Sequence, residues 1–266
     1  TMKEEELKLT RQDIADIRIF TAQRFLITFK DDSYEWVEFN GSRFVDFTLP
    51  KTAYALTFLP EENAAFFLNE DNLYRIPIEL LRTLTSKNLA DFLLLKNVEQ
   101  FDVHAGKLVY LSKGFAYESD TKGKKVRLID MSHSLDFIRF VPFPNSLGGL
   151  YLLRTKEGQR LLYAADQRGI SMLLTTELKG DIYSDNFGNT LFADASGNIF
   201  IYKPLLKKKL LVTTLPPDFL LLGQLFDDGH FLLVRGGQVL LSDSSYSNVY
   251  SLFDVKEMTR YIINNG

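Results

Sequence analysis

The fold class predicted by the sequence is all-β, built from repeated four-stranded units, and three observations carry the prediction. Twenty-two Phe and 12 Tyr stand against one Trp in a chain dense in Leu, and aromatic and branched side chains suit a pleated, packed surface better than a helical bundle. Gly, Asn, Asp and Pro cluster between short apolar runs, where tight turns need a positive φ or a preset bend. The pattern of strand, tight polar turn and strand then recurs about every 40 residues. With 266 residues and 45% hydrophobic content the chain can bury a full core. No low-complexity linker or composition shift divides it, so a single domain over 1–266 is expected.

The copies read RFLITFKDDSYEWVEF from Arg24, NAAFFLNEDNLYRIPI from Asn63, GKLVYLSKGFAYESD from Gly106, GLYLLRTKEGQRLLYAAD from Gly149, GNTLFADASGNIFIYK from Gly188 and GHFLLVRGGQVLLSDS from Gly229. Each extends to four strands. The first is ADIRIFT, RFLITFK, YEWVEFN and RFVDFTLP; the fifth is GDIYSD, NTLFADA, NIFIYKP and KKLLVTTLP. A period near 40 residues with strand-rich, turn-punctuated copies is the signature of propeller blades. The prediction is a six-bladed β-propeller of four-stranded antiparallel blades at about 15–50, 52–96, 98–131, 135–178, 180–215 and 218–254. The second copy is the least regular, because the stretch Pro77–Lys96 is long for one strand and has room for a helical turn. Irregular loops are also expected at Pro60–Asn63 and Pro142–Gly149. Asp254 with Glu257 fits a capping box, and Val255, Met258 and Ile262 share one face, which predicts a short C-terminal helix to about Ile263. The segment Glu4–Arg11 suits either an outer strand closing the ring or a second short helix.

On this period and pattern, over about residues 15 to 254, the chain resembles the β-propeller superfamily in the loose sense of WD-repeat-like or quinoprotein-like blades. It has no Trp-Asp dipeptide ending a third strand, no Gly-His opener and no paired-Gly kelch motif. Ser184-Asp185-Asn186-Phe187-Gly188-Asn189-Thr190-Leu191 is similar to the Asp box of sialidase-like propellers, with Asn186 in place of the Asp and Leu191 in place of the aromatic residue. With no second copy, it is read as a turn.

Composition narrows the chemistry. A net charge of −3, from 31 basic and 34 acidic residues, provides no global field toward nucleic acid or an anionic membrane. The absence of Cys excludes a disulfide framework, thiol catalysis and Cys-ligated metal sites, and slightly favours a bacterial source. No apolar run approaches the length of a membrane span, and the acidic start TMKEEELKL lacks the features of a signal peptide, so a soluble chain is expected. Thr1 ahead of Met2 is read as an artificial start from which a leader could have been trimmed.

Enzymatic propellers place catalytic groups near the central axis, so the polar residues interrupting the innermost strands are the candidate ligand site. These are Arg18, Thr57, Asp102, Arg139, Tyr183 and Gln224. Arg18 and Arg139 could grip a carboxylate or phosphate, with Asp102 as acid or base; the plainer reading pairs Asp102 with an Arg in a wet channel. No metal site is expected, because His104, His133 and His230 lie apart and Asp31-Asp32 and Asp227-Asp228 suit turns. Asn40-Gly41-Ser42 reads as a hairpin turn over a glycosylation sequon, and Gly148-Gly149 and Gly236-Gly237 as hairpin turns. Lys122–Lys125 and Lys207–Lys209 read as solvated edges.

These readings favour a non-catalytic interaction scaffold or assembly factor without cofactor, binding another protein or complex through turn residues Asp31, Asp32, Glu70, Asp71, Lys156, Glu157 and Arg235. The alternative is an enzyme or small-ligand binder using the axial residues; a third reading is one domain of a larger assembly factor. The expected compartment is the periplasm or cell surface after leader removal, with the cytoplasm as alternative.

Overall fold

The computed structural model describes residues 13–21, 23–38, 43–104, 106–130, 133–143, 148–166, 171–185, 187–216, 218–225, 230–243 and 248–254. The expected segments Glu4–Arg11 and Val255–Ile263 and the turns at Asn40-Gly41-Ser42 and Asp227-Asp228 lie outside them.

Six antiparallel four-stranded sheets account for the described chain. The first holds β1 (Ile14–Thr21), β2 (Arg24–Phe29), β3 (Ser33–Glu38) and β4 (Arg43–Thr48); the second β5 (Ala53–Leu59), β6 (Ala64–Asn69), β7 (Asn72–Pro77) and β8 (Leu93–Lys96). The third holds β9 (Gln100–His104), β10 (Lys107–Ser112), β11 (Phe115–Asp120) and β12 (Arg127–Asp130); the fourth β13 (Leu135–Pro142), β14 (Gly149–Thr155), β15 (Arg160–Ala165) and β16 (Ser171–Thr175). The fifth holds β17 (Leu178–Ser184), β18 (Thr190–Asp194), β19 (Asn198–Lys203) and β20 (Lys208–Thr214); the sixth β21 (Leu220–Leu225), β22 (His230–Arg235), β23 (Gln238–Ser242) and β24 (Val249–Asp254). Strands follow one another in chain order within each sheet. Among the described residues no helix is long and apolar enough to cross a membrane.

The irregularity expected of the second copy is real: between β7 and β8 the chain makes two 3-10 helices, Ile78–Thr83 and Leu89–Phe92. Ile78 and Leu81 are buried there, so the insertion is anchored by apolar side chains. Pro60–Glu62 forms a third 3-10 turn, with Asn63 in the left-handed region closing it.

Several turns are built by one side chain. Asp185 Oδ1 accepts from the Phe187 and Asn189 amides at 2.9 and 2.8 Å, and Asn189 Nδ2 donates to Oδ2 at 2.8 Å. Asp194 receives the Asn198 amide and side chain in the same way, both at 2.9 Å. Asp-x-x-Gly-Asn thus folds the same turn twice, with the Asn side chain reaching back to the carboxylate. The Asp-box-like fragment is one of these turns; Asn186 lies outside the described residues.

The chain forms two compact units, Thr1–Lys113 with Ser119–Val126 and Gly114–Glu118 with Arg127–Gly266. In the first, Trp36 of β3 stacks on Phe58 of β5 (centroids 4.3 Å apart, 12° between planes) with Phe20 at 5.4 Å, inside a cluster that includes Leu26, Phe67 and Ile76. In the second, alternate apolar positions of neighbouring sheets meet: Leu150, Leu162, Phe192 and Tyr202 form one cluster, and Leu191, Ile199, Leu233 and Leu240 another. The fifth sheet thereby contributes to both clusters, Phe192 and Tyr202 packing with the fourth sheet and Leu191 and Ile199 with the sixth.

Candidate functional site

The six inner-strand positions fall on the first strands of their sheets: Arg18 on β1, Thr57 on β5, Asp102 on β9, Arg139 on β13, Tyr183 on β17 and Gln224 on β21. Among the described side chains, Arg18 and Tyr183 reach the next sheet's backbone. Arg18 Nη1 donates to the Leu56 carbonyl at 2.8 Å, and Tyr183 Oη donates to the Leu221 carbonyl at 3.4 Å, each partner lying 38 residues further on. The repeat spacing places equivalent carbonyls beside equivalent side chains, so both act as clasps between neighbouring first strands. Asp102 lies 3.2 Å from His104 Nε2 on its own strand. Arg139 is exposed and Thr57 half-buried.

The seven turn residues sit in hairpin turns or at their edges, all exposed. Several already have local work. Asp31 Oδ1 accepts from Ser33 Oγ at 2.5 Å and from its amide at 3.1 Å. Glu70 and Asp71 both take positive φ (50° and 57°), and Asp71 accepts from the Tyr54 hydroxyl at 3.3 Å. Arg235 pairs with Asp218 at 2.6 Å and lies over the Phe219 ring. Lys156 donates its amide to the Ser134 carbonyl at 2.9 Å, and Glu157 follows it in the turn.

Beside the Asp31-Asp32 turn lies a cleft of about 400 Å³ that sequence reasoning missed. Its apolar wall is Tyr34 stacked on Phe47 (centroids 5.3 Å, 17°), and Ser33 and Thr48 add hydroxyls. Asp46 of β4 and Arg82 of the 3-10 insertion supply opposite charges; both are exposed, and no ion pair holds either among the described residues. Burial, then the Asp32 charge, pushes the Tyr34 phenol up, while Arg18 opposes. The only hint in the sequence was the over-long stretch after Pro77, because the cleft exists where that insertion packs on β4.

A polar cluster joins the third and fourth sheets in the second unit. Asp130, 4% exposed, accepts from Tyr163 Oη at 3.0 Å, and His133 Nδ1 lies 2.9 Å away. Tyr151, fully buried, donates to Glu118, which also pairs with Arg127. Among the described residues no group of acidic or His side chains is arranged to hold a metal. Burial first, then the Asp130 hydrogen bond and charge, holds the Tyr163 phenol far above its usual range; burial, then the Asp181 charge, pushes Tyr183 up to about 12. A phenol whose folded pKa is raised gives stability that is complete below the unfolded value near 10 and is lost as pH rises toward the folded value. Stability is therefore expected to fall between about pH 10 and 12, and chemical denaturation of Tyr183→Phe and Tyr163→Phe variants should show a shallower alkaline decline.

No protein-family model matches the chain, and no curated protein matches it. Among solved structures it is similar to Kluyveromyces lactis Hsv2, at 9% identity over 88% of this chain and 81% of that one, with a TM-score of 0.52. Citrobacter koseri AztD matches at 10% identity over 94% of this chain and 73% of that one, also with a TM-score of 0.52. The WD40 domain of SCAP from fission yeast matches at 15% identity over 96% and 68%, with a TM-score of 0.46. The fold is a six-bladed β-propeller. At these identities the likeness is one of fold, and the propeller's task has to be argued from its own side chains.

Proposed function

We propose that this propeller is a non-catalytic interaction module that takes hold of a partner protein through the cleft beside the Asp31-Asp32 turn. The cleft itself carries the reading. A paired aromatic wall with two unengaged opposite charges suits anchor side chains of a polypeptide, with the polar rim fixing their orientation. The 3-10 insertion that supplies Arg82 lies between the third and fourth strands of the second sheet, so the cleft is a feature added to the repeat. The engagement of Arg18 and Tyr183 with neighbouring backbone supports the same reading, since an anion gripped at the inner strands would compete with the Leu56 carbonyl for Arg18.

The test is in-cell crosslinking with Asp46→Lys and Arg82→Glu variants. Each is expected to reduce capture of the wild-type partner about tenfold or more, consistent with loss of an interface anchor, while the thermal transition stays unchanged. Retention of the same partners by both variants would sink the reading. So would saturable stabilisation by small anions that Arg139→Ala abolishes, which would favour ligand binding at the inner strands.

A further inference from the structure

The hairpin joining β19 to β20 presents LLKKKLL, Leu205–Leu211, with every residue exposed. Leu205 and Leu206 are 70% and 60% exposed at the tip; Leu210 and Leu211 are 41% and 59% exposed on β20. The hairpin is nonetheless pinned. The Leu206 amide bonds to the Lys203 carbonyl and the Lys207 amide to the Pro204 carbonyl, both at 3.2 Å. Lys207 Nζ pairs with Asp166 at 2.5 Å, and Lys209 Nζ donates to the Leu174 carbonyl at 2.7 Å while lying 4.6 Å from the centre of the Phe200 ring. Lys208 between them is exposed and makes no ion pair among the described residues. β20 is last in its sheet and, among the described residues, pairs only with β19, which leaves one backbone edge open among them.

We propose that this edge is a docking site for an extended, acid-bearing apolar segment of another protein, which adds a strand beside β20. The proposal stands independently of the cleft in the first unit. Strand addition takes its affinity from main-chain hydrogen bonds and its specificity from alternate side chains; here four leucines offer the apolar contacts and Lys208, with no ion pair among the described residues, favours an acidic neighbour. Fixing the hairpin in advance lowers the ordering cost of docking. A bilayer suits this surface less well, because an open strand edge laid against hydrocarbon leaves its peptide groups unsatisfied. Parallel pairing with a second copy of β20 would set lysine beside lysine, and like charges across a ladder repel; antiparallel self-pairing would show as dimerisation.

The test selects a displayed library of random decapeptides on the 266-residue chain, with counter-selection on Lys208→Glu. Expected are peptides alternating apolar with Asp or Glu, binding the wild type at least tenfold more tightly than Lys208→Glu. They should slow amide exchange across 208–214, and N-methylation of alternate peptide residues should abolish binding. The proposal is overturned if nothing is enriched, if enriched peptides lack acids or bind both proteins equally, or if β20 amides stay unprotected. It is also overturned if, in place of peptide binding, Leu205→Asp abolishes association with vesicles containing 30% phosphatidylglycerol, or if the chain dimerises through β20. Because Asp46 and Arg82 are untouched, none of these outcomes bears on the cleft.

Discussion

Trp36→Ala is expected to destabilise the first unit by about 3–5 kcal/mol, the range for deleting a large buried aromatic side chain. Trp36 is fully buried, and its ring bridges two sheets by stacking on Phe58, with Phe20 tilted against it. Truncation removes contact area from both sheets at once and leaves a cavity that two β-sheets cannot easily collapse to fill. It also releases Glu38, which accepts from the indole N–H at 3.3 Å. Trp36→Phe should recover most of the loss, because a smaller ring still meets Phe58. Urea denaturation followed by far-ultraviolet circular dichroism reads both variants without relying on the tryptophan's own fluorescence. A loss under 1 kcal/mol for the alanine variant would contradict the packing described.

Gly148→Ala is expected to cost about 3 kcal/mol or more, from backbone strain combined with overpacking. Gly148 has φ +112°, and a Cβ there would stand 1.9 Å from the Ala165 carbonyl oxygen, a backbone atom that cannot rotate away. The Gly148 carbonyl also accepts from the Phe143 amide at 2.9 Å, so displacing Gly148 breaks that bond as well. Gly158 is the control: its φ is +90°, yet a Cβ there meets nothing within 4 Å. Gly158→Ala should therefore show backbone strain alone, about 1 kcal/mol. Equal losses at the two glycines, measured by thermal denaturation, would show that collision plays no part.

Much of the architecture was legible because a blade writes its own period. Strands such as Arg24–Phe29 and Asn198–Lys203 are short apolar runs bounded by residues that only turns favour, and their recurrence near 40 residues marks the sheets. The stretch after Pro77 betrayed its two 3-10 helices by being too long for a strand. The functional surface was harder to read. Inner strands carry ladder irregularities at Tyr54/Thr57, Lys179/Tyr183 and Leu221/Gly223, so a strict alternation of facing does not run through them. Arg18 and Tyr183 stand out in the sequence as polar interruptions of apolar strands, but their acceptors are carbonyls in the following repeat, and a carbonyl leaves no mark in sequence. The cleft combines β3 and β4 with an insertion from another sheet, a juxtaposition that pattern alone does not encode. Lys207–Lys209 read as a solvated edge and all three are exposed; what the sequence does not show is that two of them also hold the hairpin in place.

Chain-ordered strands have a consequence for how the molecule comes together. Arg24 pairs with Glu38 and Val239 with Phe253, each only fourteen positions along the chain, so closing such a ladder spends little loop entropy. Any one meander can serve as a nucleus without waiting for a distant segment, which favours fast assembly from several starting points.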